Sequence, residues 1–192
     1  MKRTRNREIL SEHRATQAQT ELERFWEDLD GESDRGMVLS VGAYFDTILE
    51  DCLAAYFQTS SEANELLSNS RELGTFSARN KMCFALRIIS NGEYKSLKLL
   101  SAIRNDFAHQ LLVSFDQLSI SDKTFEFGAS MPWEGSNVWV ELKEKSRREI
   151  FSFTAFCLSD YLWLRPYDVA LHVESYEDLI PDHVAIRSAA KT

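Results

Sequence analysis

The chain has 192 residues, of which 44% are hydrophobic and 27% charged, a mix that lets one domain bury its own core without a disulfide or metal staple. Seven Gly and three Pro exclude collagen-like and low-complexity classes and argue against a many-turned β fold. No apolar run of about 18 residues occurs, so no membrane span is expected, and the net charge of −8 disfavours a non-specific binder of phosphate backbones.

The charge is unevenly spread. Residues 1–14 hold five basic side chains (Lys2, Arg3, Arg5, Arg7, Arg14) against Glu8 and Glu12, a net +3. The other residues hold 17 basic and 28 acidic groups, a net −11. Residues 1–14 are expected to be a flexible basic arm, and residues 15–192 a single helical domain. No apolar stretch follows the basic start, so a secretory signal is not expected. Cys52, Cys83 and Cys157 lack CxxC spacing and sit among apolar residues, which fits reduced core thiols in the cytoplasm. His13, His109, His172 and His183 form no ligand pair, so neither a metal nor a cofactor is expected.

In chain order, Leu22, Phe25, Trp26 and Leu29 recur at steps of three and four, which predicts a helix over Thr16–Leu29, ended by Asp30-Gly31. Ser33 and Asp34 are good N-caps for the next helix, whose stripe runs Val41, Tyr44, Phe45, Ile48, Leu49, Cys52, Leu53, Tyr56, Phe57. A short helical segment is expected over Ser61–Ser70. Another helix opens at Phe76-Ser77, with Met82, Ala85, Leu86 and Ile89 on one face and Asn91-Gly92 as its stop. The following helix runs from about Glu93 to Ala108 and buries Leu97, Leu100, Ile103 and Phe107. Thr124–Phe127 and Val138–Leu142 then alternate in polarity, which predicts a small β-hairpin near 123–142. A last long helix is expected over Lys143–Trp163, with Ile150, Phe153, Thr154, Cys157, Tyr161 and Leu164 inward and Arg165-Pro166 ending it. The fold class is therefore mainly α: a single-domain bundle of about six helices with that hairpin.

Chemistry concentrates at the end of the fifth helix. Lys98, Ser101, Asn105 and His109 follow at steps of three, four and four, so they share one face; Arg104 lies about 100° round from it. Imidazole can move a proton at a ribose hydroxyl or a leaving oxygen, and guanidinium can hold the phosphate between them. The structural alternative is equally concrete. Arg104 pairs with Asp34, Asp46 or Glu50 to pin two helices, and His109 caps its helix C-terminus. Arg79, Lys81, Arg87, Lys95 and Lys98 form the one basic concentration in the body. No nucleotide-binding glycine loop, HExxH or GxSxG pattern occurs, and no helix pair reads as a helix-turn-helix with a basic recognition helix.

Three blocks resemble the MltR family, the mannitol operon repressor and its paralogues. They are Ser33–Gly36 leading into Val41–Phe57, then Leu73–Lys81 with Ala85–Ile89, and Glu93-Tyr94 with Leu99-Leu100 and Ile103–His109. The resemblance implies a mainly α, cytoplasmic regulator of transcription that lacks its own DNA-binding motif and acts through protein partners. On that reading a protein partner and a homodimer are expected, direct DNA binding is not, and Asp34, Arg35, Arg79, Lys81 and Lys98 are the expected binding residues. Arg104-Asn105 with His109 is also similar to the R-N-x3-H signature of HEPN domains. That second resemblance implies a metal-independent ribonuclease acting on RNA through Arg104, Asn105 and His109. A sensor with a small-molecule pocket between helices is a third possibility.

Overall fold

Helix starts are set locally, by side chains that accept the otherwise unpaired first N–H groups. Ser33 accepts from Gly36, Ser60 from Ala63 and Thr75 from Ala78. Ser90 with Glu93, and Ser146 with Glu149, complete reciprocal capping boxes. The computed structural model of the chain describes residues 20–177 except 21, 58, 59 and 134–136, with side chains to residue 173. The expected basic arm and the start of the first predicted helix lie outside the described residues.

The helices are α1 (residues 22–29), α2 (Asp34–Tyr56), α3 (Ser61–Leu67), α4 (Phe76–Ala85), α5 (Asn91–His109), α6 (Leu118–Ala129), α7 (Val138–Leu142), α8 (Arg147–Leu162) and α9 (Arg165–Glu177). No strand occurs among the described residues. α2 is the central element. It buries Met37, Val38, Val41, Phe45, Ile48, Leu49, Cys52 and Leu53, and it packs on α9, α5 and α4. α6 lies between α5 and α8. A run of tilted rings joins these layers: Phe107 to Phe115 at 5.0 Å, Phe115 to Phe151 at 5.4 Å and Phe151 to Phe127 at 5.8 Å. Each fully buried Phe contributes roughly 1.5–3 kcal/mol through burial.

Four expectations need correction. The hairpin near 123–142 is absent, and α6 and α7 occupy its place. Ile120, Thr124 and Phe127 are buried at helical steps of four and three, while Phe125 is 37% exposed. Four alternating residues cannot be told from one helical turn when the neighbouring apolar residues also fit period 3.6. Second, Asn91-Gly92 does not end the fourth helix. α4 stops at Ala85, and Ser90 caps α5 with Asn91 and Gly92 in its first turn. Asn-Gly suits a helix stop, but the Ser90–Glu93 capping box satisfies the first N–H groups of a new helix and places the pair inside it. Third, the inner face of α8 is Ile150, Phe151, Thr154, Ala155, Leu158, Ser159 and Leu162. Phe153 and Tyr161 are 41% and 55% exposed. Apolar residues line two sides of this helix, and the packing of α6 selects one of them. Fourth, α8 stops at Leu162, before Arg165-Pro166, and that pair begins α9, since proline is tolerated in a first helical turn. The helices among the described residues therefore exceed the expected six.

Candidate functional site

Ridge residues Lys98, Asn105 and His109 are exposed and Ser101 is half-buried, so this face of α5 looks outward. Arg104 is exposed too. Its stem lies across Gly42 of α2: a Cβ added there would stand 2.7 Å from Arg104 Cγ, so glycine is what lets α2 and the arginine approach. Arg104 Nη1 donates to Asn105 Oδ1 at 3.2 Å.

None of the three carboxylates expected for Arg104 goes to it. Asp34 pairs with Arg148 at 2.5 Å, and Arg148 also donates to the Glu32 carbonyl. Asp46 and Glu50 both pair with Arg79 at 2.8 Å. Arg79 is 2% exposed and donates further to the Leu67 carbonyl, so it binds α4 to α2 and α3 from within. Its burial removes it from any docking surface. Asp34 and Arg35 likewise serve the fold. Arg35 Nη2 donates to the carbonyls of Gln110 and Leu111 at 2.6 and 3.0 Å. It thereby satisfies backbone groups just beyond the C-terminus of α5, where His109 was the expected cap. His109 itself has no hydrogen-bond or ion-pair partner among the described residues.

Two features at the surface escaped the sequence. The first surrounds an aromatic stack. Phe84 of α4 lies 4.7 Å from Tyr94 of α5, nearly parallel, and Phe84 stays 39% exposed. Lys81 is one turn before Phe84, and Lys98 one turn after Tyr94. Arg87 and Lys95 flank them, and all four cations are exposed without an ion pair among the described residues. The basic cluster was visible as composition, but the ring stack that gathers it needed the α4–α5 packing. The second is apolar. Leu111, Leu112 and Leu118 are 91%, 82% and 77% exposed. Arg35 holds the Leu111 carbonyl, and Gln117 Nε2 donates to the Leu112 carbonyl at 3.0 Å, so the backbone is pinned while both side chains project. Nothing in an isolated Leu-Leu pair distinguishes this from a core segment.

No group of three or more His, Cys, Asp or Glu is placed to hold a metal ion among the described residues. No helix among them is long and apolar enough to cross a membrane.

No family model matches the chain, and no curated protein matches it. Its fold is similar to a chain in the X-ray structure of the MtlR–HPr complex from Escherichia coli, at 17% identity and a TM-score of 0.54. The match covers 78% of this chain and 98% of that one. At that identity the likeness is one of architecture: the same helical arrangement carries nearly the whole of the other chain.

Proposed function

We propose that this protein is a non-enzymatic regulator, of the kind the MltR resemblance implies, that acts by docking on a protein partner through the outer faces of α4 and α5. One observation carries the reading: four exposed cations, without an ion pair among the described residues, lie within a turn of the partly exposed Phe84–Tyr94 stack on a chain whose net charge is −8. A basic patch with an aromatic centre on an acidic body fits an acidic partner surface, which charge steers and the rings anchor. Nucleic acid is disfavoured as the partner because the rest of the body repels it. The fold neighbour, solved in a complex with HPr, supports a protein-binding role and supplies the first partner to test.

The test is a titration of HPr from Escherichia coli, and a parallel capture from lysate, with wild type and with Lys81→Glu/Lys95→Glu/Lys98→Glu. Reversal of three exposed charges leaves Tm within a degree or two and weakens association by about tenfold or more, most strongly at low salt. Association that ignores the reversal defeats the α4–α5 reading. Self-association belongs to the same proposal. Leu111, Leu112 and Leu118 form the apolar surface a second copy would cover, next to the end of the α5 ridge.

One observation favours a second reading. Arg104 pairs with no carboxylate among the described residues and stands exposed beside Asn105, with His109 on the adjoining ridge. In a HEPN-type ribonuclease Arg104 would hold the phosphate, His109 would transfer the proton and Asn105 would orient either. RNA cleavage by wild type that vanishes in folded Arg104→Ala and His109→Ala would replace the regulator reading with this one.

A further inference from the structure

A cleft of about 430 Å³ opens between α1, α2 and the α8–α9 junction. Its walls carry four aromatic rings: Phe25 of α1, Tyr44 of α2, Trp163 at the junction and Tyr167 of α9. Phe25 and Tyr44 stack at 4.8 Å and 18°, which fixes one wall. Among the described residues the one charged residue lining the cleft is Asp51, and no Lys or Arg lines it. Asp51 makes no hydrogen bond or ion pair among the described residues. Asp51 remains exposed to solvent, and desolvation along the cleft together with the neighbouring Glu50 raises its carboxyl above its ordinary value. The Tyr44 hydroxyl is likewise without a hydrogen-bond partner there.

Each class of occupant makes a different demand. An anion would meet the carboxylate and the negative faces of the rings. A neutral apolar molecule would strip water from Asp51 and return nothing. A bare metal ion would find one carboxylate and no further strong donor among four rings. An organic cation satisfies the carboxylate through charge and the rings through their quadrupoles, and its apolar groups fill the space. The volume lies within the range of small-molecule sites.

We propose that this cleft binds a small organic monocation, such as a quaternary ammonium or alkylammonium group, with Asp51 as counter-charge and Tyr44, Trp163 and Tyr167 as the aromatic cage. The site shares no residue with the α4–α5 face and stands whether or not that face docks a partner.

The full chain is titrated with choline, butylammonium and 3,3-dimethylbutan-1-ol, the neutral isostere of choline. Binding is followed by calorimetry and by the methyl resonances of Ile48, which lines the same cleft. At least one cation binds and shifts Ile48, while the isostere does not. Asp51→Asn, which keeps shape and removes charge, weakens that binding about tenfold. Trp163→Leu weakens it similarly, and Tyr167→Leu serves as the second cage variant if the first fails to fold. Equal affinity for choline and its isostere overturns the proposal. So does undiminished affinity in Asp51→Asn, or no shift with either cation at the highest soluble concentration.

Discussion

Arg87 occupies the left-handed region, with φ of 60°. It stands just past the end of α4, where its N–H reaches the Phe84 carbonyl at 3.0 Å and the Ile88 N–H reaches the Cys83 carbonyl at 2.9 Å. That pair of bonds is the Schellman closure, in which glycine is the usual residue. Arg87→Gly is therefore expected to raise stability by about 0.5–1 kcal/mol, read as a higher denaturant midpoint. The same change removes one cation from the α4–α5 face, so partner binding falls as stability rises. A rise in both would separate Arg87 from that face. The thiols give a pH prediction at the same scale. Burial pushes Cys83 up to about 12 from its ordinary 9.0, and it pushes Cys52 up as well. Unfolded thiols ionise from about pH 9 upward while the folded ones hold their protons, so their contribution is full below pH 9 and shrinks as pH rises through the window to 12. Tm should be level from neutral pH to about 8 and fall above 9. Thiol reagents should leave Cys52 and Cys83 unmodified until the chain unfolds.

Among the elements, α6 departs furthest from its local sequence pattern. Thr124-Phe125-Glu126-Phe127 alternates like a strand, yet Phe125 lies at the surface, 5.1 Å from the ring of Trp139 and beneath the guanidinium of Arg147 at 5.1 Å. α6 approaches α7 and α8 at Gly128, where an added Cβ would fall 2.5 Å from Trp139 and 2.7 Å from Ile150. Gly128→Ala should therefore lower stability by about 1–3 kcal/mol despite the better helix propensity of alanine, measured by chemical denaturation. A neutral result would mean that Trp139 swings aside at no cost. Capping made the start of α2 legible, because Ser33 sits three residues from the Gly36 N–H it satisfies; Ser60, Thr75 and Ser146 act in the same way but were not singled out in the sequence. The face of α8 was not legible, because Phe153 and Phe156 make its outer side as apolar as its inner one.

At the scale of the whole molecule, Leu111, Leu112 and Leu118 are the most exposed large hydrophobic residues among those described. Lys123 pairs with Asp106 at 2.5 Å nearby. A second copy that covers these leucines would remove them from water, against the repulsion that a net charge of −8 imposes. Light scattering of wild type is expected to show twice the chain mass. Leu111→Asp/Leu112→Asp should return it to one chain with little change in Tm, because neither side chain is buried. A wild type that stays single at high micromolar concentration removes the dimer from the proposal. The candidate site follows the same division between near and far. The ridge Lys98–Ser101–Asn105–His109 was readable because one helix carries it. The partners of Arg104 were not, because the carboxylates it was expected to take belong to Arg79 and Arg148.

The central stripe of α2, its Ser33 cap and the helical character of α4, α5 and α8 follow from the sequence alone, because each depends on residues within a turn or two of one another. Tertiary structure alone decided which arginine meets which carboxylate, which side of α8 is inward and which leucines remain bare. Asp34 and Arg148 lie 114 residues apart in the chain, and Arg35 and Gln110 lie 75 apart. No local periodicity encodes such pairs: they form only when the burial of every helix is satisfied at once.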